Sequence, residues 1–384
     1  MKKNKYKEIA KELLASGGIQ INGKNPWDIQ VHDDRLYKKV LTQGNLGLGE
    51  AYMDGWWDCR QMDELFFRIR KNYLREQLPT SQLWRLAPFF LEQLFFNTGN
   101  AIKAFIVGEH HYDIGNNLYE KMLDKRMVYT CGYWENASNL EDAQEAKLDL
   151  VCKKIGLEKG MTVLDIGCGW GSFAKFAAER YGARVVGITV SEEQAQLATE
   201  RCAGLPIEIR MEDYRDTKGV FDRVVSLGMF EHVGYKNYRT YMKKVHSLLN
   251  NDGMFLLHTI GSNKSLILGD SWMVKYIFPG GMLPSVKQIG RSTENLFVME
   301  DWHNFGADYD KTLMAWFENF DKNWGELKKS KWIDEKFNGD ADRFYRMWEY
   351  YLLSMAGVFR ARYTQLWQIV LSKKGVIGGY KRIT

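Results

Sequence analysis

Nine residues, Val163-Leu164-Asp165-Ile166-Gly167-Cys168-Gly169-Trp170-Gly171, constrain this chain more than any other stretch. Thr162–Ile166 predicts a short buried strand, and Ser172–Tyr181 predicts a helix. Between them three glycines crowd a tight turn. Glycine lets a backbone take unusual dihedrals and come close to a ligand, and a helix start offers N–H groups without intrahelical partners. A strand, a glycine turn and a helix in that order make a nucleotide-type site at the carboxyl end of the first strand of an open α/β sheet.

The dinucleotide fingerprint asks for a glycine at position 172 and an acid at the tip of the next strand. Position 172 is serine, and the predicted strand Arg184–Val190 ends in Thr189-Val190-Ser191. Asp165, just before the glycines, suits a ligand with a cationic or hydroxyl-bearing group and no pyrophosphate. In these features the stretch resembles the S-adenosylmethionine site of class I methyltransferases.

The rest of the sheet follows in sequence. Strands are predicted at Ile207–Glu212, Phe221–Leu227, Met254–Thr259, Phe297–His303 and Leu366–Leu371, which gives seven in all. Helices are predicted at Asp142–Ile155, Ser191–Ala203 and Tyr238–Leu249; Ser191, with Gln194 three residues on, carries a capping-box signature. Strands alternating with helices imply a doubly wound sheet. Two segments, Gly261–Glu294 and Asp310–Gln365, break the rhythm as helical insertions. Both follow strand ends and are expected to cover the mouth of the sheet, where ligands bind.

Before this domain, apolar residues at helical spacing predict a helix over Tyr6–Leu14, stopped by Gly17-Gly18. Asn22-Gly23 is a hairpin-like turn signal. Gly47-Leu48-Gly49-Glu50-Ala51-Tyr52-Met53-Asp54-Gly55-Trp56-Trp57 is too glycine-rich for a plain helix. A small α+β domain over 1–96 is expected, with the boundary at Asn97-Thr98-Gly99-Asn100 and the catalytic domain over 97–384. Leu65–Phe105 combines many large apolar residues with six basic against two acidic side chains. An anionic membrane surface attracts such a stretch, but a buried interdomain or dimer helix would read the same way.

Several classes of function are disfavoured. A net charge of +5 over 384 residues is mildly basic and alone decides little; no nucleic-acid partner is expected. No run approaches the ~18 apolar residues of a membrane span, and the basic start lacks the apolar core of a signal peptide. The five cysteines form no C-x-x-C pair, as expected of reduced thiols in a cytoplasm. The adjacent His110 and His111 point apart along the chain with no carboxylate–histidine set to complete a metal site, so no metal is expected.

Chemistry is expected at three strand ends. Gly228-Met229-Phe230-Glu231-His232-Val233-Gly234 follows the fourth strand, His258-Thr259-Ile260-Gly261-Ser262 closes the fifth, and His303-Asn304-Phe305-Gly306-Ala307-Asp308-Tyr309 closes the sixth. Glu231, His258 and Tyr309 would therefore share one sheet edge with the glycine turn. A carboxylate, an imidazole and a phenol together can hold and polarise a small anion or a water and accept a proton. Met127–Trp134, just before the sheet domain, could fold back over the ligand. Cys131 within it has no neighbour that would activate its thiol, and pattern alone reads it as inert.

These motifs, with Leu256–Ser262 and Glu300–Tyr309, resemble the bacterial cyclopropane-fatty-acyl-phospholipid synthases, and Gly47–Trp57 resembles their amino-terminal domain. The resemblance covers nearly the whole chain. It favours these synthases over their mycolic-acid relatives, which lack the first domain. It implies transfer of a methylene from S-adenosylmethionine to the double bond of an unsaturated phospholipid acyl chain, through a carbocation deprotonated by bound bicarbonate. It further implies that Cys131, Glu231, His258, Ile260 through its backbone, and Tyr309 surround that bicarbonate. Tyr129, Thr130, Asp165, Gly167, Gly169, Gly171, Thr189, Gln194, Asp213 and Tyr214 would hold S-adenosylmethionine. A homodimer held peripherally on the inner, cytoplasmic face of the cell membrane is implied as well. Ser172 stands where many relatives have glycine, a minor departure because serine starts a helix well.

Overall fold

The computed structural model describes residues 2–71 and 115–383, which form two compact units. The expected boundary at 96/97, His110-His111 and most of Leu65–Phe105 lie outside the described residues. No helix among the described residues is long and apolar enough to cross a membrane.

One unit is built on the amino-terminal residues, joined by Gly269–Gly280 and Trp316–Tyr363. It holds α1 (Lys2–Ser16), β1 (Gln30–Val31), α2 (Arg35–Gln43), α3 (Asn45–Met53), β2 (Trp57–Asp58) and α4 (Met62–Lys71). The two short strands pair antiparallel. Asn22 does turn the chain, at φ 56°, and its Oδ1 accepts from the Val31 N–H at 2.7 Å. The sequence reading is corrected at α3, which is helical despite Gly47 and Gly49. A Cβ at Gly47 would lie 2.5 Å from the Lys39 carbonyl oxygen, and one at Gly49 would lie 2.4 Å from the Trp272 ring. Close packing thus selects glycine at both positions and overrides its weak helix propensity. At the end of α4, Arg68 lies 3.9 Å over the Trp27 ring and pairs with Glu64, while Arg70 lies 4.5 Å over Tyr363.

The second unit is the sheet. Its strands are β3 (Thr162–Ile166), β4 (Arg184–Thr189), β5 (Ile207–Met211), β6 (Phe221–Leu227), β7 (Leu249–Ser262), β8 (Val298–Asn304) and β9 (Thr364–Ser372). They are ordered β5-β4-β3-β6-β7-β9-β8. The first five run parallel, and β9 lies antiparallel between β7 and β8. The expected seven-stranded doubly wound sheet is the one observed. Strand order reverses at β3, so the crevice beyond its carboxyl end is where such a sheet binds ligands. β7 extends beyond its predicted Met254–Thr259 at both ends: β9 pairs with it continuously from Met254 to Ser262, and Leu249 pairs with Phe221 of β6.

Helices of this unit include α5 (Asn116–Met122), α6 (Leu140–Lys154), α7 (Ser172–Tyr181), α8 (Glu192–Arg201) and α9 (Tyr238–Leu248), while α10 (Ser271–Tyr276) belongs to the first unit. Ser191 caps α8 as its sequence predicts, accepting from the Gln194 N–H. Two apolar clusters cover the sheet. One includes Leu164, Phe230, Tyr241, Phe255 and Trp367; the other includes Val163, Phe173, Val185, Leu256 and Val370. β9 is buried along its whole length, as its run of apolar residues requires.

Candidate active site

The glycine turn takes the expected form. Gly167, Gly169 and Gly171 have φ of 79°, 53° and 76°, a region that side chains with a Cβ enter at a cost. The N–H groups of Gly167 and Cys168 both donate to the Ile188 carbonyl, at 2.9 and 3.0 Å. These two amides therefore hold β4 to the turn. At Gly169 nothing lies within 4 Å of where a Cβ would stand. Trp170 is fixed from the side: its Nε1 donates to Asn116, and its ring meets Tyr119, which in turn meets Tyr129.

The segment before α6 straps across this turn. Ser172 Oγ donates to the Arg126 carbonyl at 2.6 Å, tying the strap to the start of α7. Gln144 Nε2 donates to the Thr130 carbonyl at 2.7 Å, and Lys147 Nζ donates to the Thr130 hydroxyl at 2.6 Å. A Cβ on Gly228 would stand 2.6 Å from the Thr130 methyl, so Thr130 reaches the end of β6. The strap is also bonded to the first turn of α12 (Asp308–Leu327): Asp308 accepts from the Trp134 N–H at 2.8 Å and Thr312 Oγ1 from the Gly132 N–H at 3.1 Å. Tyr309, buried, sits in that same turn. Cys131 is fully buried 3.9 Å from the Thr312 hydroxyl, and burial holds its thiol pKa well above the ordinary value. Its Sγ–H donates to the Gly132 carbonyl at 3.2 Å.

Glu231 projects from a single 3-10 turn, Phe230–His232, immediately after β6. Its Oε1 accepts from the Ile260 N–H at 2.6 Å, while Oε2 is buried without a partner among the described residues. Burial pushes its pKa up to about 7, with the Ile260 bond opposing. Because the Ile260 N–H is engaged by Glu231, Ile260 can reach a small ligand only through its carbonyl or by positioning that carboxyl.

His258 lies two residues before Ile260 on β7 and is buried. Its register partner on β9 is Gln368, whose own partner on β8 is His303, so the three stand in a row across the sheet. Gln368 Nε2 is 3.3 Å from His258 Nδ1. Donation there leaves the imidazole proton on Nε2, and Nε2 has no partner among the described residues. Burial, with Lys147 and Lys154 adding to it, drives the His258 pKa well below the ordinary value, so the ring is neutral. The Phe305 ring packs against both His258 and His303.

Two lysines sit under this site on α6 and are fully buried, Lys147 and Lys154, each pushed by burial down to about 8. Lys154 reaches His303 Nδ1 at 2.9 Å and Asp301 at 3.6 Å. Asp165 is buried at the end of β3 with Oδ2 lacking a partner among the described residues. Burial raises its pKa to about 7 and the charge of Lys147 pulls it back.

The remaining expected residues lie at the neighbouring strand ends. Thr189 Oγ1 donates to Gln194 Oε1 at 2.9 Å. Asp213 accepts two bonds from the Arg215 guanidinium, which lower its pKa. Tyr214 packs edge-on against Tyr241, 5.0 Å between centroids. Three residues that frame the site escaped the sequence reading: Lys147, Gln368 and Thr312. Gln368 had a signal, being the one polar residue in Leu366-Trp367-Gln368-Ile369-Val370-Leu371. Lys147 had one too, standing on the apolar face of α6 four residues from both Ala143 and Val151.

The family model for mycolic acid cyclopropane synthetase matches residues 100–369. The cyclopropane-fatty-acyl-phospholipid synthase of Escherichia coli K12 is 52% identical over 375 residues, covering 97% of this chain and 94% of that protein. This chain belongs to the cyclopropane synthase family. Cyclopropane mycolic acid synthase 2 of Mycobacterium leprae is 34% identical over 296 residues, covering 69% of this chain and 92% of that one. A crystal structure of a mycolic acid cyclopropane synthase complexed with S-adenosylhomocysteine and CTAB superposes with a TM-score of 0.62 at 31% identity, over 70% of this chain and 98% of that one. The identity to the bacterial synthase spans both compact units, while the mycolic-acid relatives match about the length of the sheet unit and its insertions.

Proposed function

We propose that this protein transfers a methylene from S-adenosylmethionine to the double bond of an unsaturated phospholipid acyl chain, closing a cyclopropane ring and releasing S-adenosylhomocysteine. The alkene attacks the sulfonium methyl carbon, the carbon–sulfur bond breaks, and the cation left on the acyl chain closes to the ring as the new methyl loses a proton. Three tasks fall to the protein: holding the sulfonium beside the alkene, excluding water from the cation, and receiving the proton.

Asp165, the close approach at Gly169, and the Thr130, Thr189, Gln194, Asp213 and Tyr214 side chains would hold the donor, with Tyr129 and the turn at Gly167 and Gly171 shaping the pocket. Bicarbonate, when bound, supplies a base near the methyl carbon. What supports its fit is one pair of buried atoms, Glu231 Oε2 and His258 Nε2, both without partners among the described residues and both borne on one bonded frame, since Glu231 grips β7 two residues beyond His258. With a pKa near 7, Glu231 can stand as the neutral acid and donate to an anion, and neutral His258 donates from Nε2. Lys147 and Lys154 bias the buried surroundings toward an anion as well. Cys131, Tyr309 and the Ile260 backbone would complete the contacts. In this reading a homodimer meets its lipid from the cytoplasmic side, held peripherally on the inner face of the cell membrane.

The test is gas chromatography–mass spectrometry of fatty acids after incubation with S-adenosylmethionine and unsaturated phospholipid vesicles, in buffer freed of carbon dioxide and then with bicarbonate restored. Cyclopropane acids are expected, formed faster with bicarbonate, and formed at least about 100-fold more slowly by Glu231→Leu, which can neither accept from Ile260 nor donate to an anion. Unchanged lipids from a protein that still binds S-adenosylmethionine would sink the reading. A rate indifferent to bicarbonate would remove the anion from it.

A further inference from the structure

Exposed large aliphatic side chains are scattered singly over most folded surfaces and mean little there. In the sheet unit one place departs from this. Leu266, Ile267 and Leu268 are consecutive and 41, 65 and 52% exposed, and among the described residues no other run of three large apolar residues is so exposed. They form the tip of the loop that leaves β7 after Ser262.

The tip is held out by bonds at its root. The Ser262 N–H donates to the Pro284 carbonyl at 2.8 Å, Ser265 Oγ meets Ser285 Oγ at 2.7 Å, and Gln288 Nε2 donates to the Leu266 carbonyl at 2.9 Å. Ser285 and Gln288 also form the capping box of α11 (Val286–Thr293), whose first residue, Val286, is 56% exposed. A bonded root with four aliphatic side chains turned to solvent is a built surface, since a loop free to collapse would cover them.

Cations lead near the tip, the nearest acidic residues in sequence being the exposed Asp270 and Glu294. Lys264, Lys287 and Arg291 are exposed, and the segments Ser262–Leu268 and Gly281–Thr293 contain no acidic residue. An apolar projection with exposed cations beside it is complementary to anionic phospholipid, whose headgroups attract the cations and whose interior accepts the aliphatic groups. The position agrees, because Ile260, which holds Glu231, lies only six residues before Leu266 on the same strand and loop.

We propose that the Leu266–Leu268 tip inserts into the anionic bilayer surface, with Lys264, Lys287 and Arg291 against lipid phosphates, and so presents the carboxyl end of β7 to the membrane that carries the substrate. The inference rests on the lipid substrate proposed above and assigns the membrane contact to the sheet unit itself.

The test is co-sedimentation with vesicles of unsaturated phosphatidylethanolamine and phosphatidylglycerol. Leu266→Ser/Ile267→Ser/Leu268→Ser is expected to lower vesicle binding at least about tenfold, while thermal midpoint and S-adenosylmethionine affinity stay near those of the parent, because the replaced side chains are exposed. Lys264→Glu/Lys287→Glu should remove most of the salt-sensitive part of binding. Activity on detergent-dispersed unsaturated phospholipid should survive in both variants. Parental vesicle binding by the triple variant would overturn the proposal. So would an equal loss of activity in detergent, or a change in oligomeric state, which would make the tip a pocket wall or a contact between copies. If the parent protein neither bound nor converted vesicle lipid, the function reading would fall as well.

Discussion

Gln368 shows how a single polar residue earns its place in an apolar strand. Nothing in the packing of β9 needs an amide there, and a leucine would suit its fully buried setting. Its amide instead fixes which nitrogen of His258 carries the proton. Gln368→Leu should therefore lower stability by about 1–3 kcal/mol, since it leaves the buried His258 Nδ1 without its donor. Turnover should fall about 10- to 100-fold, and the KM for bicarbonate should rise while S-adenosylmethionine affinity stays put. Nitrogen NMR of His258 would check the cause directly. A tautomer unchanged by the substitution would reduce Gln368 to a structural residue. The reading from sequence found Glu231 because it follows a strand end, where α/β sheets place chemistry, and His258 because the fifth strand was expected to end at Thr259, although β7 runs on to Ser262. It missed Gln368 and Lys147 because each lies inside an element, where periodicity marks a position as core and says nothing of what a polar side chain there would touch.

Elements were legible in proportion to how far local pattern decides them. β3, β6 and α7 match their predicted limits because a buried apolar run between turn signals leaves little choice. α3 was not legible, since its two inner glycines weaken any local case for a helix, and what makes it a helix lies over 200 residues away at Trp272 and some 300 away at Tyr350. The same contacts make a prediction. A Cβ at Gly49 would stand 2.4 Å from the Trp272 ring and 2.8 Å from Tyr350, both buried side chains held in an aromatic cluster. Helix propensity alone would favour alanine by about 1 kcal/mol. Overpacking should outweigh it, so Gly49→Ala should destabilise by about 1–3 kcal/mol in urea denaturation. A gain in stability would mean that the ring moves aside easily and that the glycine there serves no packing need.

At the scale of the whole molecule, the site sets how stability depends on pH. Asp165 and Glu231 have folded pKa values near 7 against ordinary values of 3.8 and 4.5. The native state thus binds more protons than the unfolded chain between about pH 4 and 7, and the stability these groups contribute is full at low pH and lost as pH rises through 7. Lys147 and Lys154, lowered from 10.5 to about 8, act in the other direction, with a contribution that is full above pH 10.5 and lost as pH falls through 8. Near neutrality four buried groups are therefore charged or partly charged at once, a state the chain tolerates because Lys147 offsets Asp165 and Lys154 pairs with Asp301. His258, held well below its ordinary 6.5, adds an opposite slope, losing stability as pH falls below that value, so the parent curve alone cannot isolate any one group. The difference between parent and Glu231→Gln can, because the amide does not titrate. Measured by urea denaturation from pH 5 to 8, the stability of Glu231→Gln relative to the parent should climb with pH by at most about 1.4 kcal/mol per unit up to pH 7 and then level off. A difference flat across that range would mean that Glu231 is already ionised at pH 5, and a permanently charged carboxylate could not donate to an anion beside it. The neutral acid needed for the bicarbonate site is thus open to measurement without any turnover at all.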